Sequence, residues 1–108
     1  MNETPNLNYI ESLAANDTIF KQKLIGVIKN EFPDEKKLYE SLRKENKLKE
    51  TAEIVHKLKH KISILGFENG YFIAEKYENS LRFLTPNNTL QVKFETLLKQ
   101  IEDFIAEL

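Results

Sequence analysis

The sequence predicts an all-α protein, an antiparallel four-helix bundle with one or two additional N-terminal helices. Apolar residues recur at spacings of three and four along most of the 108-residue chain, as they do on the buried face of a helix. Three glycines and three prolines separate these stretches, so the connections are short. The short apolar run Tyr71-Phe72-Ile73 lies inside a helical pattern and is a poor strand signal. We therefore expect one helical domain over residues 1–108.

The first half of the chain predicts three helices. A short one covers about Leu7 to Ala14, and Asn16 or Asp17 is the expected N-cap of the next. Pro33 is expected to end the second helix and to begin a third, which runs to about Asn46, because the first turn of a helix does not need the missing N–H. The positions expected on the inner faces are Phe20, Leu24, Val27, Ile28 and Glu31, then Leu38 and Leu42.

The second half predicts three longer helices. The first of them runs from about Lys47 to Leu65 and stops at Gly66, a natural left-handed cap. The next spans about Asn69 to Leu84, and after a turn at residues 86–88 Asn88 is expected to cap the last helix. The expected inward positions are Leu48, Ala52, Val55, Leu58, Ile62 and Leu65; then Ile73, Ala74, Tyr77, Leu81 and Leu84; then Leu90, Phe94, Leu97, Ile101, Phe104 and Leu108.

Composition argues against several classes of protein. The net charge of −1 does not favour binding to nucleic acid, and no stretch reaches the ~20 apolar residues of a membrane span. The N-terminus does not have the pattern of a signal peptide, and the chain has no cysteine. We expect a cytoplasmic, free-standing monomer. Basic residues outnumber acidic ones between Arg43 and Lys61, which indicates either a solvated helix face or a surface for an acidic partner.

His56 is the candidate for chemistry. On a helical wheel it lies roughly 120° from the centre of the apolar stripe of its helix, so we expect it to face outward rather than into the core. The simplest interpretation of such a residue is an ordinary surface histidine. A neutral imidazole is nevertheless a competent nucleophile near pH 7, because the unperturbed pKa of histidine is about 6.5.

The segments Val55-His56-Lys57-Leu58-Lys59 and Ile64-Leu65-Gly66-Phe67 resemble the histidine-containing phosphotransfer (HPt) domain family. Its pattern is a histidine, a leucine two places on, a lysine at the third, and a Leu-Gly pair at the ninth and tenth. The residues that match it are His56, Leu58, Lys59, Leu65 and Gly66.

The resemblance implies a phosphorelay carrier rather than an enzyme. His56 would accept a phosphoryl group from a receiver-domain aspartate or a histidine kinase and pass it to another receiver, while Lys59 would offset the phosphoryl charge. The expected partners are a response-regulator receiver domain and a hybrid sensor histidine kinase. No cofactor is expected on this chain, because Mg²⁺ would belong to the receiver.

Other residues of the same helix share the face of His56. The expected docking residues are Lys49, Ala52, His60, Ser63 and Ile64, although packing in the bundle is an equal alternative for Ala52 and Ile64. His60 departs from the family, which usually has glycine directly after the lysine, and its bulk would narrow the partner range, slow transfer or help neutralise the phosphoryl group. A carboxylate from Glu53, Glu75 or Glu78 is a candidate to orient the imidazole.

Two other functions fit the same residues. His56 and His60, four apart on a helix, can both reach one metal ion, with Glu53 as a third ligand. Lys57 and Lys59 would repel a cation, so the sequence assigns no metal ligands. The second alternative is an adaptor, a degenerate phosphotransfer domain that binds partners without carrying phosphate.

Overall fold

The structure, a computed structural model, describes residues 3–108. Within this range the chain is all-helical and has no strand, which confirms the predicted class. The five helices are α1 (Asn8–Ala14), α2 (Thr18–Lys44), α3 (Leu48–Ile64), α4 (Glu68–Arg82) and α5 (Asn88–Ala106). None of the helices in this range is long and apolar enough to cross a membrane.

The predicted helix boundary at Pro33 is wrong, because α2 continues through it for 27 residues. Because Pro33 has no backbone N–H, the Lys29 carbonyl has no hydrogen-bond partner within the helix. Both residues are exposed, so water can bind that oxygen. Phe32 and Tyr39, on either side of the proline, are both buried in the core. Their packing outweighs the loss of one hydrogen bond, since tertiary burial supplies most of the stability of a helix.

The core joins residues of all five helices in one cluster. In this arrangement α3 is central, because it packs against both α2 and α4; α5 packs against α4 and α2, and α1 against α2. The inward positions predicted for α3 are confirmed. Of the positions predicted to face inward, those that are fully buried are Ala52, Val55, Leu58, Ile62 and, just after the helix, Leu65; Leu48 is partly buried and packs against the core.

Several other predicted inward positions are wrong. Glu31 is exposed, and so are the apolar residues Phe20, Val27, Leu38, Leu84 and Leu108. In α2 the buried row contains Ile25, Ile28, Phe32 and Tyr39. This long helix carries two apolar rows, and only the positions of the neighbouring helices decide which row is covered. Leu84 and Leu108 are exposed because they lie beyond the ends of α4 and α5.

At the helix N-termini, one predicted cap is confirmed and another is wrong. Asp17 caps α2, as one of the two alternatives predicted, and its Oδ1 accepts the Phe20 N–H at 3.0 Å. The cap of α5 is Asn87 rather than Asn88, because the Oδ1 of Asn87 accepts the Leu90 N–H at 3.0 Å. An N-cap side chain reaches the N–H three residues on, and from Asn87 that residue is Leu90.

A polar network crosses the core between α2, α4 and α5. Tyr39 donates to Oε2 of Glu95 at 2.8 Å, and the Tyr77 and Tyr39 hydroxyl oxygens are 2.8 Å apart. Arg43 Nε lies 2.9 Å from the same Glu95 oxygen. Burial, together with the hydrogen bonds to Tyr77 and Glu95, raises the pKa of Tyr39 far above its ordinary value. The Tyr39 hydroxyl therefore stays protonated, and the network joins three helices.

The segment before α1 lies over the connection between α3 and α4. The Glu3 carboxylate accepts the backbone N–H groups of Asn69 and Gly70, each at 2.9 Å, at the N-terminus of α4. Asn6 donates its backbone N–H to the Leu65 carbonyl at 2.9 Å. A carboxylate distant in sequence thus caps a helix whose own N-cap residue, Phe67, has no side chain able to do so.

The helices α3 and α4 end in the same hydrogen-bond pattern. Gly66 has a φ of 91°; its N–H donates to the Ser63 carbonyl, and that of Phe67 donates to the Ile62 carbonyl. This pair of bonds is the Schellman motif, so the predicted cap at Gly66 is confirmed. At the end of α4 the left-handed position is held by Leu84, with a φ of 58°. A leucine there is strained by its Cβ.

Exchanging residue types at these two positions is expected to change stability in opposite directions. Leu84→Gly relieves the left-handed strain and removes a mostly exposed side chain, so it raises the free energy of unfolding by about 1 kcal/mol. Gly66→Ala introduces that strain and places a Cβ against the Asn6 side chain, so it lowers the free energy of unfolding by more. Urea denaturation of both variants measures the changes. Equal destabilisation by both would contradict this account.

Candidate functional site

His56 projects from the outer face of α3, and both of its ring nitrogens are engaged. Its side chain is 47% exposed. Nδ1 lies 3.1 Å from each of the two carboxylate oxygens of Glu78 on α4. Nε2 lies 3.3 Å from Nε2 of His60, one helical turn further along α3. The imidazole is thus held from the side of α4 and touched by His60 on the side of its other nitrogen.

The Glu78 carboxylate is the centre of a charged cluster between α3 and α4. Its side chain is 8% exposed, and Lys59 Nζ lies 3.1 Å from Oε1. Arg82 brings Nε and Nη2 each within 2.9 Å of Oε2. Burial by itself would raise the pKa of Glu78, but hydrogen bonds from Arg82, Lys59 and His56 outweigh it and hold the pKa below its ordinary value. Glu78 is therefore ionised at neutral pH.

The ionised carboxylate determines which nitrogen of His56 is reactive. A carboxylate can only accept hydrogen bonds, so Nδ1 of His56 carries the proton that Glu78 binds. In the neutral ring Nε2 then keeps its lone pair, which can attack an electrophile or accept a hydrogen bond from the N–H of His60. Of the three carboxylates proposed from the sequence to orient the imidazole, Glu78 is the one in contact with it.

Lys59 contacts Glu78 rather than extending into solvent beside His56. Its side chain is only 8% exposed, and its ammonium also lies 5.4 Å from the centre of the Tyr71 ring, within range of a cation–π interaction. In this arrangement its charge balances Glu78. Its role in offsetting phosphoryl charge stays a prediction. That role requires the Lys59 ammonium to contact the phosphoryl group as well as Glu78.

The predicted docking residues differ in accessibility. Lys49, His60 and Ser63 are exposed on the outer face of α3. Ile64 is partly buried against the core, and Ala52 is 0% exposed. Ala52 presents no surface to a partner. Of the two roles considered for it, docking and core packing, its burial fits core packing.

Much of the positive charge between Arg43 and Lys61 is already paired. Arg43 binds Glu95, Lys59 binds Glu78, and Lys47 lies 3.0 Å from Glu45. Lys61 lies 2.9 Å from both Glu31 and Glu35 of α2; burial lowers its pKa, but these two carboxylates outweigh burial and raise it. The basic surface expected from the composition is therefore weaker than a count of residues suggests.

Arg82 and Tyr71 belong to the site but were not predicted. Arg82 is bound to the carboxylate that holds His56, and Tyr71 lies beneath the Lys59 ammonium. Both are on α4, more than ten positions from His56 in the sequence. The i, i+4 spacing of Glu78 and Arg82 is a signal for an ion pair within one helix. Nothing in the sequence shows that this pair faces His56.

Replacing Glu78 with glutamine is expected to destabilise the fold at neutral pH. Glu78→Gln leaves the buried Lys59 ammonium without its anion, which costs about 2 kcal/mol. Because the folded-state pKa of Glu78 lies below its ordinary value of 4.5, the carboxylate's contribution is full above that value and is lost as the pH falls through the folded-state pKa. Chemical denaturation at several pH values should show the difference from the unmodified protein shrinking in acid. A pH-independent difference would contradict this assignment.

No protein-family model matches the chain, and no curated protein or solved structure matches it either.

Proposed function

We propose that this protein is a histidine phosphocarrier of a two-component phosphorelay. The observation that carries the proposal is the hydrogen bond of His56 Nδ1 to the buried carboxylate of Glu78. It leaves Nε2 as the basic nitrogen of a half-exposed imidazole on a rigid helix. This arrangement supports a nucleophile that a partner protein can approach and that needs no activating base of its own.

The transfer step requires little of this chain beyond positioning. The Nε2 lone pair of His56 attacks the phosphorus of a receiver's aspartyl phosphate; the N–P bond forms, the O–P bond breaks, and the aspartate leaves as a carboxylate. The Nδ1 proton stays on the ring, where Glu78 balances the positive charge that develops on the imidazole. Phosphoryl transfer depends mainly on positioning and electrostatic stabilisation, and the receiver with its Mg²⁺ would supply the rest.

The exposed face of α3 is the proposed docking surface for the receiver. Lys49 and Ser63 lie on this face on either side of His56 and would contact the partner around the phosphoryl group. The four longer helices, α2 to α5, would form the antiparallel four-helix bundle of the HPt family, with α1 as the additional N-terminal helix. The partners in this proposal are a receiver domain and a hybrid sensor histidine kinase. The protein would act as a cytoplasmic monomer.

A second function is supported by the position of His60. Its Nε2 lies against the nitrogen that must be phosphorylated, which is also what a degenerate carrier would show. Such a protein would bind receivers as an adaptor without accepting phosphate. The carrier requires His56 for phosphoryl transfer, whereas the adaptor binds receivers without any transfer to His56.

The phosphocarrier proposal predicts that His56→Gln abolishes transfer while preserving the fold. The unmodified protein, incubated with a panel of phosphorylated receiver domains, should acquire label that is labile in acid and stable in base. Lys57→Gln is the matched control, because Lys57 is exposed on α3 and lines a different groove together with Leu38 and Glu50. Absence of label on a folded protein that still binds a receiver would sink the carrier and support the adaptor.

Removal of the His60 ring is expected to accelerate phosphorylation of His56. His60→Ala frees Nε2 from one hydrogen bond of about 1 kcal/mol, so the initial rate should rise by roughly fivefold. The measurement compares a phosphorylated receiver with phosphoramidate, a donor too small to require docking. Acceleration with both donors identifies His60 as a barrier at the nitrogen itself. A slower rate with phosphoramidate would instead mean that His60 assists transfer.

A further inference from the structure

The two Nε2 atoms of His56 and His60 converge at the spacing that a metal ion requires. They lie 3.3 Å apart. A tetrahedral Zn²⁺ ion with nitrogen ligands at about 2.0–2.1 Å has neighbouring ligand atoms about 3.3–3.4 Å apart. An ion can therefore be bound by both rings with little change in either side chain. The same convergence is expected from two histidines four residues apart on one helix.

Glu78 provides the second observation. Metal-bound histidines commonly donate their other ring N–H to a carboxylate, which fixes the tautomer and makes the ligand nitrogen more basic. Glu78 accepts a hydrogen bond from Nδ1–H of His56 in this way, and Lys59 and Arg82 hold its carboxylate in place. His60 becomes a ligand when its ring proton moves from Nε2 to Nδ1 by exchange with water, a step open to an exposed side chain.

The lysines that follow His56 oppose a cation less strongly in the structure than the sequence predicts. Lys59 is bound to Glu78 and is only 8% exposed. Lys57 lines a groove between α2 and α3 that neither histidine ring lines. The remaining cation near the imidazole, Arg82, is also bound to Glu78. Because Lys59 and Arg82 share the one negative charge of Glu78, a single positive charge remains near the site, and we expect a cation to bind there weakly.

We propose that His56 and His60 bind one divalent transition metal ion such as Zn²⁺, with water completing its coordination. Among the described residues no group of three potential ligand side chains is present, so binding would be reversible rather than structural. Imidazole ligands suit Zn²⁺ and Cu²⁺, and Cu²⁺ should bind more tightly. The ion occupies the nitrogen that a phosphoryl group would take. Metal and phosphoryl group therefore exclude each other, a consequence that rests on the proposed function.

The test of the site is a calorimetric titration with zinc chloride in a buffer that does not bind metal. The unmodified protein and Lys57→Gln should each bind one Zn²⁺ per chain, whereas His56→Gln and His60→Gln should not. Glutamine keeps both positions polar and helical, and circular dichroism checks the fold. Binding of unchanged affinity in either histidine variant, or no binding by the folded unmodified protein, would overturn the proposal.

A second measurement examines the ligand atoms and their support directly. In nitrogen NMR spectra of the histidine rings, zinc should shift the Nε2 signals of both His56 and His60. Glu78→Gln, at a pH and temperature where it is folded, should weaken zinc binding by about tenfold. A shift confined to the signals of one ring would contradict a shared ion.

Competition between zinc binding and phosphorylation of His56 separates this inference from the proposed function. Phosphorylation of the unmodified protein by phosphoramidate should stop when zinc saturates the site and resume after addition of EDTA. A protein that binds zinc through both histidines but accepts no phosphate even with EDTA supports the metal site and contradicts the phosphocarrier. Phosphorylation that proceeds unchanged with zinc in excess contradicts the shared nitrogen.

Discussion

The buried carboxylate of Glu78 is the interaction on which the rest of the site depends. Removing a carboxylate from water is costly, and the cost is offset here by hydrogen bonds from Lys59, Arg82 and His56. Two of these partners come from α3 and one from α4, so the same ion cluster ties the two helices together and orients the imidazole. The orientation of His56 and the stability of the α3–α4 interface therefore depend on the same carboxylate.

The position of α3 in the molecule makes this arrangement possible. One face of the helix is completely buried between α2 and α4, and the opposite face is solvent-exposed around His56. The Schellman motif at Gly66 ends the helix, and the N-terminal segment covers that end through Asn6. A side chain on such an element is held by backbone hydrogen bonds and core packing, which restricts its position more than a loop would.

His60 decides how accessible the reactive nitrogen is. Its ring meets that of His56 nearly edge to face, with centroids 4.8 Å apart. With glycine at this position, as the HPt family usually has, a partner backbone could approach His56 directly. The proposed phosphocarrier, adaptor and metal site all depend on this one pair of imidazoles, and they differ in what would occupy the space between the two Nε2 atoms.

The sequence by itself determined the all-helical class, the buried face of α3, the cap at Gly66 and the outward position of His56. These features depend on local periodicity and turn chemistry, which neighbouring residues carry. Only the tertiary structure decided that α2 runs through Pro33, since packing of Phe32 and Tyr39 outweighs a local preference. It also decided that Glu78 rather than Glu53 or Glu75 binds His56, and that Lys59 is paired. Those choices depend on the register between α3 and α4, and periodicity within one helix contains no information about the register of its neighbour.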